Sequence, residues 1–428
     1  MDNLWSIMSR SVVVTGLGFA TCLGLDAGAV LGALRSLRHG IVRYEPFDDA
    51  SVPVKLAAPV PGFRTDSADA EDWTFPDNLS FRLDQLRALS PNALYATYAL
   101  RQAIDASGLG EDAVAHPRTG LFTASAGSAM LTHHHIDRMK RVGPSRCSPL
   151  GIVASTAGTL NFNLVPALGI QGASAGFISA CASSGHALGY AFDEIALGRQ
   201  DRMLVVGAED FTPETILPFA SMRVLTPSRD PDTASRPFDR GRDGFVGTGG
   251  SVAMVLEEGS AARARGAEIY AEFKGWGQST DGTHMAIAHP EGAGLARAME
   301  AAIAAAGVAR ENVDYVNAHA TSTPMGDASE CRALRRVFGT GGKRPAVSST
   351  KALTGHALSL SSIMEAAFSV LALHHGFIPG AAHLVDPDPE AAGLFLPRES
   401  LDEAPRVVVS NSSGFGGANV VTVFARHE

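Results

Sequence analysis

The sequence predicts an α/β protein built from two related halves, residues 11–260 and 266–428. Three observations predict it. The β-rich run SVVVTGLGFAT (11–21), read as a strand entering a Gly-X-Gly turn, is echoed by IYAEFKGWGQST (269–280). Each is followed, after an insertion, by an alanine-rich stretch of helical character, residues 93–109 and 294–308. Each stretch then leads through a short polar segment to a further strand, within RTGLFTASAG and VDYVNAHATS. Strand, helix and strand in the same order twice indicates duplication. At 428 residues the chain is also too long for one ordinary core.

The elements follow from local chemistry. Val12, Val13 and Val14 are β-branched and favour a strand. Both alanine-rich helices end in a small residue, a glycine and an aliphatic, a left-handed stop. The charged, alanine-rich connector EEGSAARARGAE (257–268) places the boundary between halves. Gly16-Leu17-Gly18 is not a dinucleotide fingerprint: Thr21 stands where a third glycine belongs, and no acidic residue follows at the required distance.

Composition narrows the function classes. A net charge of −9 argues against nucleic acid as the main partner, which requires a basic field. The longest apolar runs are strand-sized, far short of a membrane span. Residues 1–10 lack the apolar core of a secretory signal, so a cytoplasmic location is expected. Cys22, Cys147, Cys181 and Cys331 lie far apart without paired spacing, which predicts neither disulfides nor a metal site. His133-His134-His135 and His374-His375 have no acidic or cysteine partner at ligand spacing and read as surface or packing residues.

Four segments carry chemistry. In AGFISACASSGHALGYAFDEIALGRQ (175–200), an apolar strand meets a helix at Cys181 among small neighbours. A sulfur at a helix mouth is exposed to free N–H groups that favour thiolate and can hold an oxyanion. His186, five residues on, is badly spaced to share its face and reads as a hydrogen-bonded packing residue. DYVNAHATSTPMGD (314–327) puts His319 at a strand end, and VSSTKALTGHALSLSSIMEA (347–366) puts Lys351 five residues before His356, which is read as opening a helix that carries Glu365. VVVSNSSGFGGANVVTVFA (407–425) reads as strand, glycine-rich turn and strand around Phe415.

Together these segments, with RPFDRGRDGFV (236–246), resemble the active-site motifs of β-ketoacyl-acyl carrier protein synthases over nearly the whole chain. The likeness is greatest to the type I elongating synthases, through IALGRQD, the GTGG after GFV and LALHHGFIPG. The resemblance implies a thiolase-like fold, two α/β halves forming a five-layered αβαβα core. It implies an acyltransferase in which Cys181 carries the acyl chain, with the backbone N–H groups of Cys181 and Phe415 as oxyanion hole. His319 and His356 would then stabilise the enolate formed when a malonyl group loses carbon dioxide. Lys351 would support the histidines, with Glu365 as its partner and Asp327 and Glu330 as further polar supports. Thr321 and Thr323 match residues that bind the phosphopantetheine arm, and Phe415 matches a gate. Arg87, Arg138, Lys140 and Arg141 fall near positions that dock the acidic carrier protein. No cofactor and no metal is implied, since substrates arrive on the carrier's arm. A homodimer is expected, joined across strands before Cys181, or a heterodimer with a related subunit.

Departures from the family pattern are Ala320 for a glycine, Ser413 for a phenylalanine, and Ser359-Leu360-Ser361-Ser362 for a stretch of glycine and alanine. They point to a specialised acyl chain. Rival readings are a thiolase, which needs a second reactive cysteine after Cys331, a chain-initiating synthase, which needs asparagine where His356 stands, and a non-catalytic chain-length partner, which lacks the nucleophile.

Overall fold

The computed structural model describes residues 10–427, so most of the N-terminal segment read for a signal lies outside it. In the first half the strands of the main sheet are β1 (Val12–Ala20), β2 (Thr119–Ala124), β3 (Ser174–Phe177), β4 (Arg202–Glu209) and β5 (Gly250–Glu258). In the second they are β6 (Ala271–Thr280), β7 (Tyr315–Asn317), β8 (Ala346–Ser348), β9 (Val407–Gly414) and β10 (Ala418–Ala425). All ten hydrogen-bond in the order β8-β7-β9-β10-β6-β1-β5-β4-β2-β3. Counted outward from the β1·β6 seam, the two halves have the same strand order. They also share the same directions: two antiparallel pairings next to the seam, then two parallel ones. At the seam Val12–Val14 pairs antiparallel with Ala271–Phe273.

The helices complete the layers. α1 (Pro91–Ser107), α2 (Ala129–Val142) and α3 (Ser183–Ala196) belong to the first half. α4 (Ala293–Ala305), α5 (Pro324–Phe338) and α6 (Ser361–His375) belong to the second. α3 and α6 pack on each other and on strands of both halves, which makes them the central layer. α1 covers the far side of β1, β5 and β4, and α4 covers that of β6 and β10. The five-layered αβαβα core follows.

α1 starts where the Ser90 side chain accepts from the Ala93 amide, ahead of Pro91, and stops at Gly108 with φ 68°. The expected Gly-X-Gly turn is corrected: Gly16 and Gly18 lie inside β1, and Gly275 and Gly277 inside β6. Their role is close approach. A Cβ on Gly16 or Gly18 would collide with the carbonyls of Ala103 and Ala99 in α1, and one on Gly277 would lie 2.5 Å from the Ala298 carbonyl in α4. The repeated motif therefore records a helix seated directly on a strand, once in each half. Among the described residues no helix is long and apolar enough to cross a membrane.

Candidate active site

β3 and β8 occupy equivalent places in the two halves, and each runs into a tight turn before a central helix. The turn after β3 carries Cys181, and the turn after β8 carries Lys351 and His356. Ala180, just before the cysteine, has φ 52°, a conformation costly for a residue with a side chain. It is held by Ser183, whose Oγ donates to the Ala180 carbonyl at 2.6 Å and accepts from the Ser179 amide at 2.8 Å. α3 begins two residues after Cys181. The end of β9 lies against this turn, where a Cβ on Gly414 would sit 2.6 Å from the Ser179 carbonyl. That contact seats Phe415 beside the sulfur, on a short turn closed by Gly416 and Gly417, both with positive φ.

Three side chains converge here. Cys181 Sγ lies 3.0 Å from His356 Nε2, and the His319 and His356 rings stand 5.3 Å apart and nearly perpendicular. One donor atom from each of Cys181, His319 and His356 falls within 4.8 Å of the others. That spacing suits a metal ion, but the buried Lys351 ammonium beside them opposes a second cation. Burial, then the Lys351 charge, holds both imidazoles well below their ordinary 6.5, so each is neutral at pH 7. His356 is not the start of a helix as expected. It follows the short helix Lys351–Thr354, and α6 opens only at Ser361.

The thiol corrects another expectation. A helix mouth predicts a lowered Cys181, yet burial pushes the thiol up to about 12, with Lys351 opposing. Desolvation of the anion outweighs the dipole where the sulfur faces the cavity it shares with Phe245, Phe415 and the two histidines.

The supports divide by role. Lys351 is wholly buried and its Nζ meets Glu365 Oε1 at 2.5 Å, while burial pushes the Glu365 carboxyl up to about 7. Glu330 accepts from the amides of His319 at 2.8 Å and Ala320 at 2.6 Å and from Asn411 Nδ2, fixing the backbone that presents His319. Asp327 stands apart from the reacting groups. It accepts from the Phe238 amide at 2.9 Å and faces Arg242 at 3.7 Å, pinning the loop 236–246. His186 is half-buried and bonded to Ser179 Oγ at 2.7 Å.

Two cavities meet at Cys181. One of about 650 Å³ is lined by Thr321, Thr323, His319, His356 and Phe415, and the other of about 630 Å³ by Glu209, Thr132, Ile136 and, again, Phe415. Phe219 borders both and lies 6.1 Å from the Phe415 ring. The Phe415 ring therefore stands in the partition between the two spaces. The Thr321 and Thr323 hydroxyls are 3.1 Å apart on the wall of the first.

The basic residues are not brought to that cavity. Arg87 is ion-paired with Glu71, and Arg138, Lys140 and Arg141 lie on α2, which borders the second cavity instead. Arg223, which sequence reasoning passed over, is exposed, has φ 57° and lines the first cavity. Nothing in its surroundings, SMRVL, marks it in one dimension. Glu209 was also missed: it is fully buried, lines the second cavity, and its Oε1 has no hydrogen-bond partner among the described residues.

Comparison with known proteins agrees over the full length. Residues 9–262 match the N-terminal domain of beta-ketoacyl synthases and residues 270–385 the C-terminal domain. The chain is 35% identical over 424 residues to 3-oxoacyl-[acyl-carrier-protein] synthase 1 of Escherichia coli (strain K12), covering 97% of this chain and 99% of that one. It is 36% identical over 420 residues to 3-oxoacyl-[acyl-carrier-protein] synthase 2 of Coxiella burnetii, with coverage of 97% and 99%. A beta-ketoacyl synthase from Burkholderia phymatum superposes with a TM-score of 0.89 at 31% identity, covering 98% of this chain and all of that one. Two matching domains in sequence order, full-length relatives and a shared fold lead to one conclusion: the chain belongs to the β-ketoacyl synthase family.

Proposed function

We propose that this protein is a β-ketoacyl-acyl carrier protein synthase, an acyltransferase that lengthens a carrier-bound chain by decarboxylative condensation. The convergence of Cys181, His319 and His356 where two cavities meet carries the reading. The Cys181 sulfur attacks the acyl thioester, and the carrier thiol leaves with a proton. Malonyl-carrier then occupies the first cavity, its arm along Thr321 and Thr323. The bond to the carboxylate breaks, carbon dioxide leaves, and neutral imidazole N–H groups of His319 and His356 hold the enolate oxygen. The enolate carbon attacks the Cys181 thioester, whose carbonyl oxygen rests on the Cys181 and Phe415 amides. The sulfur is released and the β-ketoacyl product departs on its carrier. No cofactor enters this sequence.

Incubation with an acyl-carrier should add one acyl mass at Cys181, and malonyl-carrier should then release carbon dioxide and a product two carbons longer. Failure to acylate and to decarboxylate would favour a non-catalytic partner subunit. The serines after His356 and Ser413 at the cavity wall support a specialised acyl chain. Equal extension rates for ordinary saturated chains and for unsaturated or aryl chains would count against it.

Partners follow from two surfaces. Among the described residues β3 is the last strand of the sheet, with one edge unpaired and Ile178 beside it 69% exposed, which suits pairing with a second copy or a related subunit. Sedimentation of Ile178→Asp as a monomer would support that edge, and an unchanged dimer would exclude it. An acidic carrier protein would dock at the mouth of the first cavity near Arg223.

A further inference from the structure

The serines that follow His356 each bond to a different part of the site. Ser359 donates its hydroxyl to Glu209, and Ser362 Oγ donates to the Cys181 carbonyl at 2.9 Å. Ser361, the first residue of α6 and fully buried, places its Oγ 2.9 Å from His356 Nδ1. The other ring nitrogen of His356 faces the Cys181 sulfur at 3.0 Å.

We infer that Ser361 is a positioning residue that donates its hydroxyl proton to His356 Nδ1 and so holds the imidazole with its own proton on Nε2, aimed at the reacting atoms. This rests on the condensing role proposed above. Proton accounting carries it. The ring is neutral, so it has one N–H to place. Were that proton on Nδ1, it would donate to Ser361 Oγ, and the Ser361 hydroxyl would need an acceptor of its own. Among the described residues that hydroxyl bonds to nothing but His356. A buried O–H without an acceptor is far more costly than a spare hydroxyl lone pair. The hydroxyl therefore points into the ring, Nδ1 accepts, and Nε2 carries the hydrogen. An N–H on Nε2 is what the site uses twice: it steadies anionic sulfur against the desolvation that raises Cys181, and it later meets the enolate oxygen.

The test separates position from fold. In protein labelled with nitrogen-15 at histidine, with His356 assigned through a His356→Gln spectrum, wild type should show Nδ1 as a bare acceptor and Nε2 as protonated. Ser361→Ala, which removes one oxygen from a helix start, should mix the two tautomers with little change in melting temperature. It should also lower kcat for malonyl decarboxylation about tenfold at unchanged KM. A bare Nε2 in wild type overturns the inference, as does a tautomer or a kcat untouched by Ser361→Ala. Wild-type protein that never decarboxylates malonyl-carrier would sink the condensing role instead, while the nitrogen spectrum still decides which tautomer Ser361 holds.

Discussion

Cys181 and His356 are 175 residues apart in sequence, yet Sγ and Nε2 lie 3.0 Å from each other. They occupy matching turns of the duplicated halves, one after β3 and one after β8, so the fold's internal symmetry brings thiol and imidazole together. His319, from the turn after β7, completes the group.

This division of labour predicts separable losses. His319→Ala should reduce malonyl decarboxylation by about 10²–10³-fold while Cys181 still accepts an acyl group, since one preorganised donor is lost from the enolate step only. Intact-protein mass and carbon dioxide release check the two halves separately. Equal loss of both would show that His319 acts chiefly on the sulfur.

Lys351 and Glu365 form a buried pair, so removing one partner strands the other. Lys351→Met should cost about 3–5 kcal/mol in urea unfolding, and adding Glu365→Gln should recover part of it. Loss of the nearby positive charge should also let the two histidine pKa values rise. A single-variant cost below about 1 kcal/mol would mean the pair is not enclosed as described.

Glu209 gives a pH dependence with a definite sign. Burial pushes its carboxyl from 4.5 up to about 8, so between those values the folded chain keeps a proton that the unfolded chain has released. Its contribution to stability is therefore present below 4.5 and lost as the pH rises toward 8. Glu209→Gln removes that loss, and its melting temperature should gain on wild type between about pH 5 and about pH 8. A constant difference across the range would show that Glu209 ionises normally.

Arg223 is an exposed cation on the wall of the first cavity, whereas Arg138, Lys140 and Arg141 lie on α2, the helix whose Thr132 and Ile136 border the second. Arg223→Glu should raise KM for acyl-carrier about tenfold at low salt and less at high salt, with activity on a short pantetheine thioester retained. The same charge reversal at Lys140 should do less. If Lys140→Glu proves the stronger, docking lies over α2.

Much of this was legible in one dimension because it is local. The repeated strand and helix order reported the two halves, and the small residues around Cys181 reported a tight turn. The Gly-X-Gly segments were misread as turns because their partner is a helix backbone from dozens of residues away: Ala103 and Ala99 decide why Gly16 and Gly18 lack side chains. The lowered thiol failed for a related reason. A helix mouth is visible in sequence, but the desolvation that outweighs it depends on distant segments that bring Phe245, Phe415 and the histidines to the same cavity as the sulfur.

The sequence by itself determined the duplicated α/β architecture, since periodicity and residue type are properties of short segments, and its resemblance to a known family singled out Cys181, His319, His356 and Lys351. Tertiary structure alone decided that the sulfur is desolvated, that Ser361 faces a ring nitrogen of His356, that Glu209 lines the second cavity and that Arg223 lines the first. Those are facts of distance and dielectric between segments far apart in the chain, and burial sets them only when both halves close on the central helices.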